Sequence, residues 1–324
     1  MREVVFVKRN EEKWKQSEKS ISEMTPDELA ESFIALTDDL AYSRTFYPNS
    51  NTERYLNALS ARFHRLIYKN KKEKSGRFIT FWKYEVPLTV RKHHTKLLYS
   101  FLFFLIFGVI GAFSAAKDDT FVRLVLGDSY VNKTIDNIEN GDPMAVYKGG
   151  SSTYFFLAIT LNNIRVAFLA FVAGVLFSVG TVWILFYNGV MLGSFQYFFY
   201  EKGVLWDSLM SIWIHGTLEI SAIVIAGGAG LTLGNSFLFP KTYSRFKSFT
   251  QGAKDGIKIM VGLVPIFIVA GFLESFVTRH TEMPDWLSLT IILSSLAFII
   301  YYFVVYPYRL EKKLINNKKY EKNI

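Results

Sequence analysis

From residue 97 onward the chain is built of apolar stretches of about 20 residues, separated by short polar breaks. A helix rises about 1.5 Å per residue, so each stretch is long enough to cross the ~30 Å hydrocarbon layer of a bilayer. Core helices of soluble proteins seldom sustain such a run, and the chain reads as a polytopic membrane protein. Composition alone does not decide this, because 50% hydrophobic and 17% aromatic residues suit a soluble or a membrane protein. Distribution does. Charge is dense before Lys96, within 236–258 and after Tyr308, and sparse between.

The same distribution explains the net charge of +9. The basic residues gather beside the apolar stretches, where membrane topology accounts for them, so nucleic acid is not expected as a partner. The absence of cysteine excludes disulfides and thiolate metal sites. The first 20 residues, MREVVFVKRNEEKWKQSEKS, lack an apolar h-region, and no cleavable signal peptide is expected.

The expected fold class is all-α: a polytopic transmembrane bundle of about six spans with an N-terminal helical cytoplasmic domain over 1–92. Thr25 is the expected N-cap of a first helix with Pro26 at its first position, and Leu29, Phe33, Ile34 and Leu40 mark its apolar face. A second helix starts at Asn51 or Thr52, with Tyr55, Leu56, Leu59, Phe63 and Ile67 at helical spacing; the two pack as a hairpin across the PNSN turn. KNKKEKSG is a charged linker. Phe81, Trp82 and Tyr84 among basic residues predict an amphipathic juxtamembrane segment lying on the membrane surface.

The transmembrane bundle covers 95–308, with spans near 97–116, 154–177, 179–200, 208–234, 257–279 and 286–306. The second and third are separated by a tight turn near SVGT (178–181), and Asn162 and Asn163 could break the second or make it re-enter. The 117–150 loop carries two short amphipathic pieces and an acidic excess, whereas 236–258 and the 309–324 tail are basic. The positive-inside rule then puts 117–150 outside and both termini in the cytoplasm, in the cytoplasmic (inner) membrane.

Polar groups inside the spans are the candidate site. Ser211, His215, Glu219, Ala222, Ala226, Gly230 and Gly234 recur every three or four residues and share a helix face. Gly230-x-x-x-Gly234 and Gly189-x-x-x-Gly193 fit close helix packing, so the stripe is expected to face protein. An ionised Glu at mid-bilayer costs about 2.5–3.5 kcal/mol on insertion scales and must be neutralised, paired or hydrated. Depth counting offers Arg165 as the partner of Glu219, with Asn162, Asn163, Asn188, His215 and Glu274 in the same zone, making one buried polar belt. Two readings stay open: hydrogen bonds that hold helices together, or a proton or substrate site. His215 and Glu219 lie four apart, as ligands on a helix do, but the pattern is not H-E-x-x-H and no second histidine lies nearby. No metal, cofactor or catalytic residue is therefore expected. Asn132-Lys133-Thr134 is a glycosylation triplet by pattern alone.

Four segments in order, NNIRVAFLAFVAGV (162–175), FYNGVMLGSF (186–195), IHGTLEISAIVIAGGAGLTLG (214–234) and GFLESFVTRH (271–280), resemble the stage II sporulation protein M family. YLNALSARFHRLIY (55–68) and the FWKYEVPLTVRKHH approach to the first span resemble its longer, non-sporulation members, and the likeness covers most of 25–280. The resemblance implies an integral membrane protein without catalytic activity of its own that works in an envelope complex. It also implies membrane and cytosolic protein partners, among them a MoxR-type AAA ATPase system, besides the membrane lipids. By that likeness Asn162, Asn163, Asn188, Gly189, Gly193, His215, Gly216, Glu219 and Glu274 occupy the family's polar and small positions. Val86-Pro87 departs from the aromatic-Pro pattern before the first span. The expected function is a non-enzymatic membrane scaffold; the alternative is a transporter or channel component using the buried belt for protons, ions or lipid-like substrates.

Overall fold

The computed structural model describes residues 1–21, 24–69, 76–145, 152–280 and 283–321, and all regular structure among them is helical. Residues 70–75 of the charged linker, 146–150 of the 117–150 loop and 322–324 of the tail lie outside the described residues. The chain divides into two compact units, Met1–Arg77 and Phe78–Ile324. The break falls before the juxtamembrane segment, which belongs with the second unit.

Among its described residues the first unit holds three helices, α1 (Glu3–Ser20), α2 (Pro26–Phe46) and α3 (Asn51–Lys69), where the sequence suggested two. Thr25 and Glu28 form a reciprocal capping box that satisfies two backbone N–H groups at the start of α2, with Pro26 in the first turn. The core is Leu36 and Leu40 of α2 against Leu56, Leu59 and Phe63 of α3, closed by Phe6 and Trp14 of α1. Ile34, assigned to that core by spacing, is exposed, and Leu36 takes its place. Trp14 is 2% exposed and its Nε1 donates to Asp39 Oδ2 at 2.8 Å, so the indole buries its ring without orphaning its donor.

The second unit opens with α4 (Arg77–Thr80), a π-turn at Phe81–Glu85 and α5 (Val86–Lys92). The first half of this segment leaves Phe78, Ile79 and Tyr84 exposed, and its second half is buried. Val86 and Val90 are at most 1% exposed and join the main core, with Val86 pressed against Gly262. Polar ties fix it there: Tyr302 and Tyr306 hydroxyls donate to the carbonyls of Trp82 and Lys83, Lys258 pairs with Glu85 at 2.9 Å, and His93 meets Asp255 at 2.9 Å. Val86 packs inward into the narrow gap over Gly262.

Then follow α6 (His94–Lys117), α7 (Asp119–Leu126), α8 (Asp128–Glu139), α9 (Ser152–Val172), α10 (Val179–Glu201), α11 (Leu205–Leu238), α12 (Arg245–Phe272), α13 (Asp285–Ile300) and α14 (Tyr306–Glu321). Among the described residues, five stretches are long and apolar enough to cross a membrane: His94–Lys117, Thr153–Val175, Leu205–Leu238, Arg245–Val277 and Asp285–Asn316. The sixth expected span, 179–200, is the 23-residue helix α10, in which Tyr187, Asn188, Gln196, Tyr197 and Tyr200 dilute the apolar run. α9 runs unbroken through Asn162 and Asn163, so it neither breaks nor re-enters there. The chain turns between α9 and α10 through Phe177 and Ser178, both in the left-handed region. α7 and α8 fold over one end of the bundle, where Val122 and Val131 pack with Phe198, Phe199 and Ile212.

Glycine sets the spacing of the helices. A Cβ on Gly193 would strike the Gly108 carbonyl and the Ala112 nitrogen, and one on Gly189 would lie 2.8 Å from Phe107 Cβ. Gly230 and Gly234 stand equally close to Ala170, Gly174 and the Ser178 turn. α11 is thereby enclosed by α6, α9, α10, α12 and α13, and is buried on all sides over most of 212–234. The sequence stripe pointed one face inward; Ile214, Ile223 and Ile225 on the other faces are buried as well.

Candidate functional site

Within the second unit, α9, α11 and the end of α12 bring polar groups together. α11 contributes His215, 4% exposed, and Glu219, one turn further on. At the end of α12 the helix loosens into a π-turn, Leu273–Val277, and the Thr278 N–H donates to the Leu273 carbonyl five residues back at 2.8 Å. Such insertions re-aim side chains and recur at functional sites. Here the turn presents Glu274 and Thr278 to the same imidazole: His215 Nε2 lies 3.9 Å from Glu274 Oε1, and His215 Nδ1 lies 3.0 Å from Thr278 Oγ1. One ligand atom from each of His215, Glu219 and Glu274 falls within 4.8 Å of the others. α9 adds Asn163, 7% exposed, whose side chain hydrogen-bonds to Glu219.

Of the seven residues expected in one belt, the structure joins four: Asn163, His215, Glu219 and Glu274. Arg165 is exposed on α9 and does not meet Glu219, which corrects the expected pair. The reason is angular. At about 100° per residue, positions two apart point ~200° apart, so a helix that turns Asn163 inward turns Arg165 outward. Asn162, one residue from Asn163, is exposed for the same reason. Asn188 uses its Nδ2 on the Ile184 carbonyl of its own helix at 2.8 Å. Depth counting matched residues by level and ignored azimuth.

Thr278 was not anticipated, although FLESFVT puts it four residues beyond Glu274 on the same side of the helix. Two buried hydroxyls at this level, Thr160 Oγ1 on α9 and Ser275 Oγ beside Glu274, lack a hydrogen-bond partner among the described residues. Thr160 Oγ1 sits against Gly271, one turn before Glu274. The cluster is also less central than counting suggested, since Glu274 stands three residues before Val277, where the apolar run of α12 ends.

Electrostatically the site is unbalanced. Among the described residues, neither Glu219 nor Glu274 pairs with a Lys or Arg. Two ionised carboxylates this close repel by roughly 3 kcal/mol even at an effective dielectric of ~20. The arrangement can hold protons or a cation.

Residues 100–279 match the family model described as Stage II sporulation protein M. The chain belongs to that family. The match spans more than half of the chain and contains every residue of the cluster. A second model, a domain of unknown function (DUF8413), matches residues 4–69, the three-helix unit. An uncharacterized protein of Methanocaldococcus jannaschii is 22% identical over 156 residues, covering 47% of this chain and 68% of that relative. No solved structure matches. The chain is thus a multi-pass membrane protein of the stage II sporulation protein M family, with a separate helical unit ahead of its bundle.

Proposed function

We propose that the protein is a non-enzymatic scaffold of a membrane complex. The observation that carries this reading is the division of labour along the chain. The 1–77 unit has its own aromatic core, while the bundle is close-packed on glycine and ends in a basic collar. The unit offers soluble docking surface and the bundle fixes it at the membrane. Six crossings with both termini in the cytoplasm of an inner membrane agree with the basic 236–258 loop and tail and with the acidic α7–α8 cap. By the family resemblance the partners are membrane and cytosolic proteins, a MoxR-type AAA ATPase among them. Phe78, Trp82, Tyr301, Tyr302 and Tyr306 line an open groove of about 450 Å³ suited to lipid at an interface.

The test is in-cell photo-crosslinking from exposed α2 and α3 positions of the full chain, together with the phenotype of a chain lacking 1–75. Scaffolding predicts defined protein adducts from the full chain, and loss of the phenotype on deletion while the bundle still inserts. Absence of defined adducts, or a deletion without effect on phenotype, would contradict it. The His215–Glu219–Glu274 cluster favours a second reading, ion or proton movement. That reading requires a flux in proteoliposomes that Glu219→Gln removes without loss of folded protein.

A further inference from the structure

We infer that His215, Glu219 and Glu274 bind one divalent transition-metal ion of the zinc type. The site depends on neither reading above, because an ion here either pins α11 to the end of α12 or takes part in transport.

The geometry is the first argument. Zinc holds nitrogen and oxygen donors at about 2.0–2.2 Å, which sets donors ~3–4 Å from one another. The three donor atoms already lie within 4.8 Å of one another, and the His215–Glu274 separation of 3.9 Å needs almost no change. Side-chain rotation alone closes the rest.

Charge is the second argument. Two half-buried carboxylates converge on a buried imidazole without a Lys or Arg counterion among the described residues. A divalent ion cancels both charges at once and leaves a neutral assembly, the state that a low-dielectric surrounding tolerates. A monovalent ion would leave a residual negative charge.

The surroundings form the third argument. Metal-bound imidazoles use their other nitrogen on a positioning partner, and bound carboxylates are themselves hydrogen-bonded. Thr278 Oγ1 meets His215 Nδ1, which turns Nε2 toward the carboxylates, and Asn163 holds Glu219. The Thr160 and Ser275 hydroxyls, 6% and 3% exposed, have no hydrogen-bond partner among the described residues and lie one turn from Asn163 and next to Glu274 along the chain. One imidazole with two carboxylates and no thiolate selects a borderline ion: the imidazole disfavours magnesium and calcium, and the absence of sulfur disfavours copper(I). The sequence did not suggest a metal, because the third ligand sits 55 residues beyond Glu219 on another helix.

The test uses the full chain, purified in mild detergent through a tag without histidine, incubated with zinc chloride, desalted and measured by elemental analysis. The expected result is about one zinc per chain. His215→Ala, Glu219→Gln and Glu274→Gln should each weaken binding more than ~100-fold, and Thr278→Val by ~10–100-fold, as for outer-shell partners elsewhere. Asn188→Ala should bind like wild type. Since a ligand variant can fail to fold, wild-type protein is also loaded with cobalt(II), whose visible absorption reports a bound nitrogen–oxygen site and should be displaced by zinc. Wild-type chain that retains no zinc and shows no cobalt band overturns the inference, as does zinc retained equally by wild type and a folded Glu219→Gln, Glu274→Gln double variant. Carboxyl protonation bands in the infrared that persist unchanged in zinc overturn it too, because protons would then occupy the site.

Discussion

Gly193→Ala is the sharpest perturbation of the bundle. The added Cβ would meet the Gly108 carbonyl carbon at 2.8 Å and the Ala112 nitrogen at 2.9 Å, with the carbonyl oxygen closer still. Ordinary contact begins near 3.4 Å, and the carbonyl oxygen is the nearest obstacle, so α6 and α10 must part by more than ~1 Å. The obstacles are backbone atoms that cannot rotate away, which points to the upper part of the ~1–3 kcal/mol range for overpacking. Helix propensity returns up to about 1 kcal/mol for Gly→Ala, leaving a net loss of ~2 kcal/mol. Gly108→Ala, on the same seam, is the control. Its Cβ would stand 3.7 Å from the Gly189 carbonyl, in ordinary contact, so it should be neutral or gain up to about 1 kcal/mol. Reversible unfolding in mixed micelles of rising SDS fraction measures both. Equal stability of Gly193→Ala and wild type, or equal loss in both variants, would refute the close-packed seam.

In the N-terminal unit, Trp14→Ala should cost ~3–5 kcal/mol, because a fully buried ring is removed and Asp39 loses its donor. Urea-dependent proteolysis within 1–77 reads this, and unchanged protection would refute the placement of α1. Glu28 titrates below its ordinary 4.5, because the Thr25 backbone and then the Thr25 hydroxyl bond its charged form. A depressed folded value means that the cap's contribution is present above 4.5 and fades as pH falls through the lower folded value. NMR titration of the Glu28 carboxyl should show it, and Thr25→Ala should return the midpoint toward 4.5. Tyr55 should ionise late, near pH 12, because burial and then its bond to Glu18 favour the neutral phenol. A Tyr55→Phe difference spectrum flat in that region would count against the α1–α3 contact.

Much of the architecture was legible because membrane helices announce themselves by length and because capping chemistry is local. The Thr25–Glu28 box and the glycine pairs could be read directly, since each is a relation between residues four or fewer apart. α1 was hidden because Phe6 and Trp14 are its only fully buried side chains, set eight residues apart among charges. The burial of Val86 and Val90 was hidden because basic and aromatic neighbours mimic an interfacial helix, whereas Gly262, the residue that makes room for Val86, lies far along the chain. His215 and Glu219 could be paired from spacing alone. Their union with Glu274 and Asn163, and the outward turn of Arg165, depend on how three helices rotate about their axes. No periodicity in a single helix encodes that relation.

That rotation is the central claim, and the absence of native cysteine makes it directly measurable. A Cβ on Gly271 would lie 3.2 Å from the Thr160 Cβ, one turn from the Asn163–Glu274 level and close to disulfide distance. Thr160→Cys with Gly271→Cys should therefore crosslink within one chain under mild oxidation, while Arg165→Cys with Gly271→Cys should not. Crosslinking through position 165 in place of 160 would turn α9 about its axis, carry Asn163 away from Glu219, and contradict the cluster.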